Sequence, residues 1–251
     1  MWPELFTIFG LPLRSFGFFV ALGFIVGVQV ASWLSKRYGS DPEHDAQRIP
    51  DLSWAALIGV IAGARLAYVL VNLPYYLEHP VEIFQIWQGG LVMYGGMILA
   101  LVLGIRKARQ LGMQIWQTAD YCLTGAFLGQ AIGRIGCLLN WYGEAGSPTH
   151  LPWAFVVDGV ARHPVTGYLS LLYILGGLVL TAFGRSVPRG TAGATILYYA
   201  LVRSLCEPWR EYEPPYLREL SLAMCAILAL FGLILFRWKG RVPATSVETF
   251  S

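Results

Sequence analysis

SFGFFVALGFIVGVQVASWLS, residues 15–35, contains no acidic, basic or histidine side chain, and its polar groups are limited to three serines and Gln29. At about 1.5 Å of rise per residue such a run is roughly 31 Å long as a helix, the thickness of a bilayer's hydrocarbon core. Outward from it, six more stretches repeat the pattern: 52–77, 83–105, 115–139, 164–184, 190–206 and 220–236. Short polar segments with turn chemistry separate them, such as Gly39-Ser40-Asp41-Pro42, Glu78-His79-Pro80 and Pro214-Pro215. The fold class read from this spacing is an all-α integral membrane protein with about seven transmembrane helices.

Composition agrees. Of the 251 residues, 56% are hydrophobic and 13% charged, against roughly 25% charged in soluble domains, and mean hydropathy is +0.55. With 28 glycines but no collagen-like period or polar tract, fibrous and disordered classes are excluded. Cys122, Cys137, Cys206 and Cys225 lack C-x-x-C spacing, and His44, His79, His150 and His163 are scattered, so neither a disulfide framework nor a metal site is expected. The net charge of +3 resides in short basic clusters between apolar runs, which argues for membrane topology over nucleic acid. The amino terminus, MWPELF, is acidic, and no cleavable signal peptide is expected.

Those clusters set the orientation, since cytoplasmic connections carry the excess of Lys and Arg. Segments 36–50, 106–112, 185–189 and 237–251 hold eleven, including Lys36, Arg37, Lys107 and Arg241, whereas the alternating connections hold Arg162, Arg210 and Arg218. The expectation is an outer amino terminus and a cytoplasmic carboxyl terminus. No linker divides residues 1–251, so a single polytopic domain is expected, with residues 140–163 as a small polar cap on the outer face.

Arg14, Arg65, Arg134 and Arg203 remain, inside or at the edge of apolar runs. An arginine at the bilayer centre costs about 2.5–3.5 kcal/mol on insertion scales, so each needs compensation. One reading is snorkelling or pairing with a carboxylate, of which Asp120 is the clearest inside a run. The other is a cavity with surplus positive charge, lined by Arg65, Arg134 and Arg203 and opening toward the outer leaflet. Its ligand would be an anion, and at that depth a phospholipid phosphodiester suits the guanidinium fork.

Three denser motifs accompany these arginines. Arg203, Glu207 and Arg210 are spaced i, i+4, i+7, but Pro208 ends or kinks the helix at Glu207, leaving either an interfacial salt-bridge cluster or a carboxylate that orients the arginines. GGLVMYGG, Gly89–Gly96, places four glycines around Tyr94 and reads as broken or closely approached backbone beside a polar site. Gly23 and Gly27, at G-x-x-x-G spacing, read as helix packing. GRIGCLLNWYGEAGSPTH, residues 133–150, carries Arg134, Asn140 and Glu144 from a helix exit into the cap, as a site mouth would.

Together these motifs resemble the bacterial prolipoprotein diacylglyceryl transferases: G-R-x-G at Gly133–Gly136 followed by Asn140, Gly143 and Glu144, the double-glycine run at Gly89–Gly96, R-x-x-x-E-x-x-R at Arg203–Arg210, and R-H-P at Arg162–Pro164. The resemblance implies transfer of the diacylglyceryl group of phosphatidylglycerol to the lipobox cysteine in a prolipoprotein signal peptide, with glycerol 1-phosphate leaving. It implies Arg134, Arg203, Tyr94 and Glu144 as catalytic residues and Gly95, Gly96, Asn140, Glu207, Arg210 and Arg65 as substrate-binding ones. No cofactor is implied. Membrane lipid is the expected environment, the bacterial cytoplasmic (inner) membrane the expected location, and a monomer the expected state.

Three positions depart from the family pattern. Tyr94 stands where many members have His, Phe16 where many have Tyr, and Cys137 where Asn usually follows G-R-x-G. A phenol with a reference pKa near 10 is a poor base, so Tyr94 either orients substrate or is activated by neighbouring arginines. The competing classes are a relative acting on another lipid or acceptor and a non-catalytic binder or transporter of anionic lipid. A transporter should carry paired broken helices in two halves, and GARLAY at Gly63 against GRIGC at Gly133 is too faint an echo.

Overall fold

Each of the seven apolar runs supplies a helix in the computed structural model, which describes residues 4–8, 11–86, 89–140, 146–157, 159–183, 190–212 and 215–239. The long helices are α1 (Ser15–Tyr38), α2 (Pro42–Val71), α4 (Met93–Gln110), α5 (Ile115–Asn140), α6 (Val165–Phe183), α7 (Thr191–Cys206) and α8 (Tyr216–Lys239), and a short α3 spans Leu73–Glu78. Of these, α1, α2, α5, α6 and α8 are long and apolar enough to cross a membrane. Helix α7 is 16 residues long, and α4 carries Arg106, Lys107 and Arg109 in its final turns. Large apolar side chains such as Ile58, Leu70, Leu101, Ile227 and Leu230 are about 60% exposed, the surface of a lipid-facing protein.

Helix boundaries differ most from the apolar runs at the start of α2 and the start of α4. The polar stretch before residue 52 is helical from Pro42, with proline at the first position and Glu43 and Asp45 in the first turn, both suited to a helix N-terminus. Polarity marks where a helix leaves lipid, and capping chemistry decides where it starts. Conversely, the run 83–105 is α-helical only from Met93, because a 3-10 turn (Pro80–Phe84) and two glycines at positive φ, Gly89 (+88°) and Gly90 (+73°), precede it.

Two small antiparallel hairpins complete the chain, β1 (Glu4–Ile8) with β2 (Leu11–Arg14) and β3 (Phe155–Val157) with β4 (Val160–Arg162). The second lies in the expected cap. Nothing in the apolar spacing pointed to either.

The chain forms two compact units, residues 39–118 and residues 1–38 with 119–251. In the larger, α1 crosses α5 backbone to backbone: a Cβ at Gly23 or Gly129 would strike the other's carbonyl, and Gly27 faces Gly125 in the same way. Small residues permit this approach, which is how helices associate where lipid tails remove the hydrophobic drive. The core combines Phe127 and Ala131 of α5, Val165, Leu169 and Tyr173 of α6, and Val202 and Cys206 of α7. Asp120, nearly fully buried on α5, accepts the Ala192 N–H at 2.7 Å and so caps α7 with a carboxylate at its positive end.

In the smaller unit α2 packs on α4. Gly63 lies against the Gly95 carbonyl, and Gly59 against the backbone of Leu99 and Ala100.

Candidate active site

The larger unit gathers five of the expected residues. Arg203 ends α7, and Pro208 stops the helix as anticipated, so that Glu207–Trp209 continue as one 3-10 turn. Glu207 has no exposed surface. Its Oε1 accepts from Arg203 Nε (3.1 Å), Tyr212 Oη (3.0 Å) and Ser221 Oγ (2.8 Å), and Arg203 Nη2 donates to Tyr212 Oη at 3.3 Å. Both readings of this motif include the Arg203–Glu207 ion pair that forms here. The other Glu207 oxygen, Oε2, has no hydrogen-bond partner among the described residues. A buried carboxylate oxygen that takes three donors holds the guanidinium that faces it in place. Arg210 follows the turn in extended conformation and lies over the Tyr212 ring at 5.2 Å.

Arg134 sits half-buried in the last two turns of α5, with Asn140 at that helix's end. The flanking Gly136 lets the α1 backbone at Phe16 approach: an added Cβ would lie 3.1 Å from Phe16 Cα. The Tyr173 hydroxyl on α6 is fully buried and has no hydrogen-bond partner among the described residues. Glu144 and Gly143 lie outside the described residues.

The cap is tied to the same helix end. Ser147 N–H donates to the Trp209 carbonyl (2.8 Å), His163 N–H donates to the Ser147 carbonyl (3.1 Å), and Gly146 pairs with Arg210 as an isolated bridge. Arg162 of the R-H-P motif donates to the Gly146 carbonyl at 3.1 Å and forms an ion pair with Glu211. His163 packs its ring against Tyr168 and Trp209. Arg162 therefore holds the cap to the segment that carries Glu207 and Arg210.

The smaller unit holds the other expected residues, Arg65, Tyr94, Gly95 and Gly96. Arg65 is buried, and its guanidinium is taken up by backbone: Nε donates to the Ile83 carbonyl (2.8 Å), Nη1 to those of Gly89 (2.9 Å) and Gly90 (3.2 Å), and Nη2 to that of Glu82. The Tyr76 and Tyr68 rings flank it at 5.3 and 5.8 Å. Carbonyl dipoles compensate its charge, an answer a sequence motif cannot display. Gly95 and Gly96, expected to bind substrate, pack against α2. A Cβ on Gly95 would strike Ala67 Cβ, and one on Gly96 would lie 2.7 Å from the Val60 carbonyl oxygen. The expectation of broken backbone holds for Gly89 and Gly90, while Tyr94, in the first turn of α4, is about half exposed.

Sequence reasoning missed Tyr212, Ser221 and Tyr173. Tyr212 could have been noticed two residues beyond Arg210, whereas Ser221 and Tyr173 are lone polar groups in apolar runs with no local signal. Among the described residues no three His, Cys, Asp or Glu side chains converge as a metal site would need. What the larger unit offers is two arginines, one ion-paired to a buried carboxylate, and a segment after residue 145 that hydrogen-bonds to the turn ending α7.

Comparison with known proteins adds an independent finding. Residues 3–238 match the family model described as prolipoprotein diacylglyceryl transferase. Among similar curated proteins, all named phosphatidylglycerol–prolipoprotein diacylglyceryl transferase, that of Geobacter sulfurreducens is 34% identical over 217 residues, covering 83% of this chain and 82% of the relative. That of Trichormus variabilis is 33% identical over 224 residues (83% and 77%), and that of Bacillus velezensis 31% over 265 (98% and 96%).

Proposed function

Because the chain belongs to the prolipoprotein diacylglyceryl transferase family, we propose that it moves the diacylglyceryl group of phosphatidylglycerol onto a cysteine thiol of a prolipoprotein. The thiol sulfur attacks the glyceryl carbon that bears the phosphate ester. The carbon–oxygen bond breaks, glycerol 1-phosphate leaves with the bonding pair, and the thiol proton passes to an acceptor. The product is a thioether.

The observation that carries this reading is Arg203 held by the buried Glu207 carboxylate. Charge accumulates on phosphate oxygens as the ester bond breaks. Guanidinium groups fixed in advance stabilise that charge without reorganising at the moment of reaction. Arg134 and Arg203 hold the phosphate in this mechanism. Glu207 orients Arg203, Arg210 and Asn140 contribute substrate contacts at the helix exits, and Glu144 acts from the cap. Tyr94 orients substrate, because a phenol is a weak proton acceptor at neutral pH.

The finer topology belongs to the same proposal: seven crossings in the bacterial cytoplasmic membrane, amino terminus outside, residues 140–163 as an outer cap on a single membrane domain, and a monomer acting on a lipobox cysteine. The distribution of Lys and Arg supports this orientation. Complementation tests the activity. A bacterium depleted of its own transferase and supplied with this chain should lipidate a reporter lipoprotein, and continued accumulation of unmodified precursor despite membrane insertion would reject the reading.

A further inference from the structure

We infer that Arg65 is a positioning residue, which acts on catalysis by clamping the Gly89–Gly90 backbone and thereby fixing where α4 begins and where Tyr94 stands. The inference rests on the transferase reading for its kinetic test, but the clamp itself is a matter of geometry. One guanidinium donates to four carbonyls drawn from two separated parts of the connection, Glu82 and Ile83 on one side and Gly89 and Gly90 on the other. Two tyrosine rings pack around it, and the side chain has almost no exposure. A fork engaged in this way has little left to offer a lipid phosphate.

The clamped segment leads directly into α4. Three residues after Gly90 the helix starts at Met93, and the Val92 N–H donates to the Ala64 carbonyl at 3.0 Å, one residue from Arg65 on α2. Just beyond Tyr94, Gly95 and Gly96 press on Gly63 and Val60 of the same α2 turns. Tyr94 is thus held on both sides by α2, through Arg65 before it and through glycine packing after it. The glycines belong to the device. Gly90 has φ +73°, and a Cβ there would lie 2.8 Å from Arg65 Nη1 and 2.6 Å from Tyr68 Cε1. A side chain at 90 would therefore push out the guanidinium that holds it. Lysine cannot substitute, since a single ammonium cannot reach carbonyls on both sides of the fork.

The test compares wild type, Arg65→Ala, Arg65→Lys, Gly90→Ala and the Arg65→Ala/Gly90→Ala double variant. It uses phosphatidylglycerol vesicles and a lipobox peptide, with hydrogen exchange followed over residues 89–96. The expected result is a kcat lowered about 30-fold or more in Arg65→Ala and Arg65→Lys, with KM for phosphatidylglycerol within about threefold of wild type. Gly90→Ala should move kcat the same way, and the double variant should fall no more than about threefold below the worse single one, because both act through one segment. Exchange at 89–96 should be faster in every variant. Arg65→Lys, which keeps the charge and the stem, serves if Arg65→Ala fails to accumulate. A raised KM with unchanged kcat would make Arg65 a lipid ligand and overturn the inference, as would multiplicative losses in the double variant or a fully active Arg65→Lys. Unchanged exchange in Arg65→Lys would also overturn it. Wild-type inactivity alongside accelerated exchange in the variants would count against the transferase reading and leave the clamp standing.

Discussion

Arg203 and Glu207 are joined at 3.1 Å across one helical turn, the guanidinium Nε donating to a carboxylate with no solvent exposure. Tyr212 and Ser221 donate to the same oxygen. Removing one partner of such a pair leaves the other uncompensated. Glu207→Ala should therefore lower stability by about 3 kcal/mol, and Glu207→Gln should keep the shape but lower transfer about tenfold or more by loosening Arg203. Thermal unfolding in detergent and transfer rate separate the two effects, and a fully active Glu207→Gln would dismiss the orienting role.

Arg134→Ala and Arg203→Ala should each abolish transfer while the protein still inserts and accumulates. Lysine should rescue poorly at both positions, because it keeps the charge and loses the fork. Membrane-fraction immunoblots paired with lipidation assays decide the matter, and wild-type rates in either alanine variant would remove the phosphate-binding role.

At the α1–α5 crossing, Gly129→Val places a side chain against the Gly23 carbonyl. Overpacking of this kind typically costs about 1–3 kcal/mol, and the upper end is expected here because the obstacle is backbone. Gly17→Ala, on the same α1 but with nothing within 4 Å of the added carbon, should be neutral. Equal unfolding temperatures for the two variants would contradict this packing.

For topology, single cysteines near Gly146 and Tyr212 should react with an impermeant reagent applied from outside the membrane, and one at Lys107 only from inside. Labelling of position 107 from the outer face would overturn the orientation.

Tyr94→Phe should slow transfer without altering the shape of the pH–rate profile, since the hydroxyl orients substrate and another group or solvent takes the thiol proton. Tyr94→His should be tolerated. Complete loss of activity in Tyr94→Phe together with a shifted profile in Tyr94→His would instead make position 94 the proton acceptor.

Much of this protein was legible in one dimension. The all-α membrane class follows from the length of the apolar runs, because a bilayer imposes one thickness on every crossing, and five of the helices are long and apolar enough to make one. Gly23 and Gly27 announced a packing face through their spacing, and Pro208 announced the end of α7, since both effects act within a few residues of chain. The pairing of Arg203 with Glu207 was likewise readable from their i, i+4 spacing.

What compensates each charge was decided only in three dimensions. Arg65 and Arg203 present the same problem in sequence, an arginine in an apolar run. One is satisfied by four carbonyls of a distant connection, the other by a carboxylate one turn away, a tyrosine and, through that carboxylate, a serine on α8. Gly95 and Gly96 likewise share a motif with Gly89 and Gly90 yet serve as packing surface, because α2 lies against them. A backbone carbonyl carries no residue identity, and a packing face has no meaning until its partner helix is present. For both reasons, the sequence determined which charges in apolar runs need compensation, and the tertiary structure alone decided what supplies it.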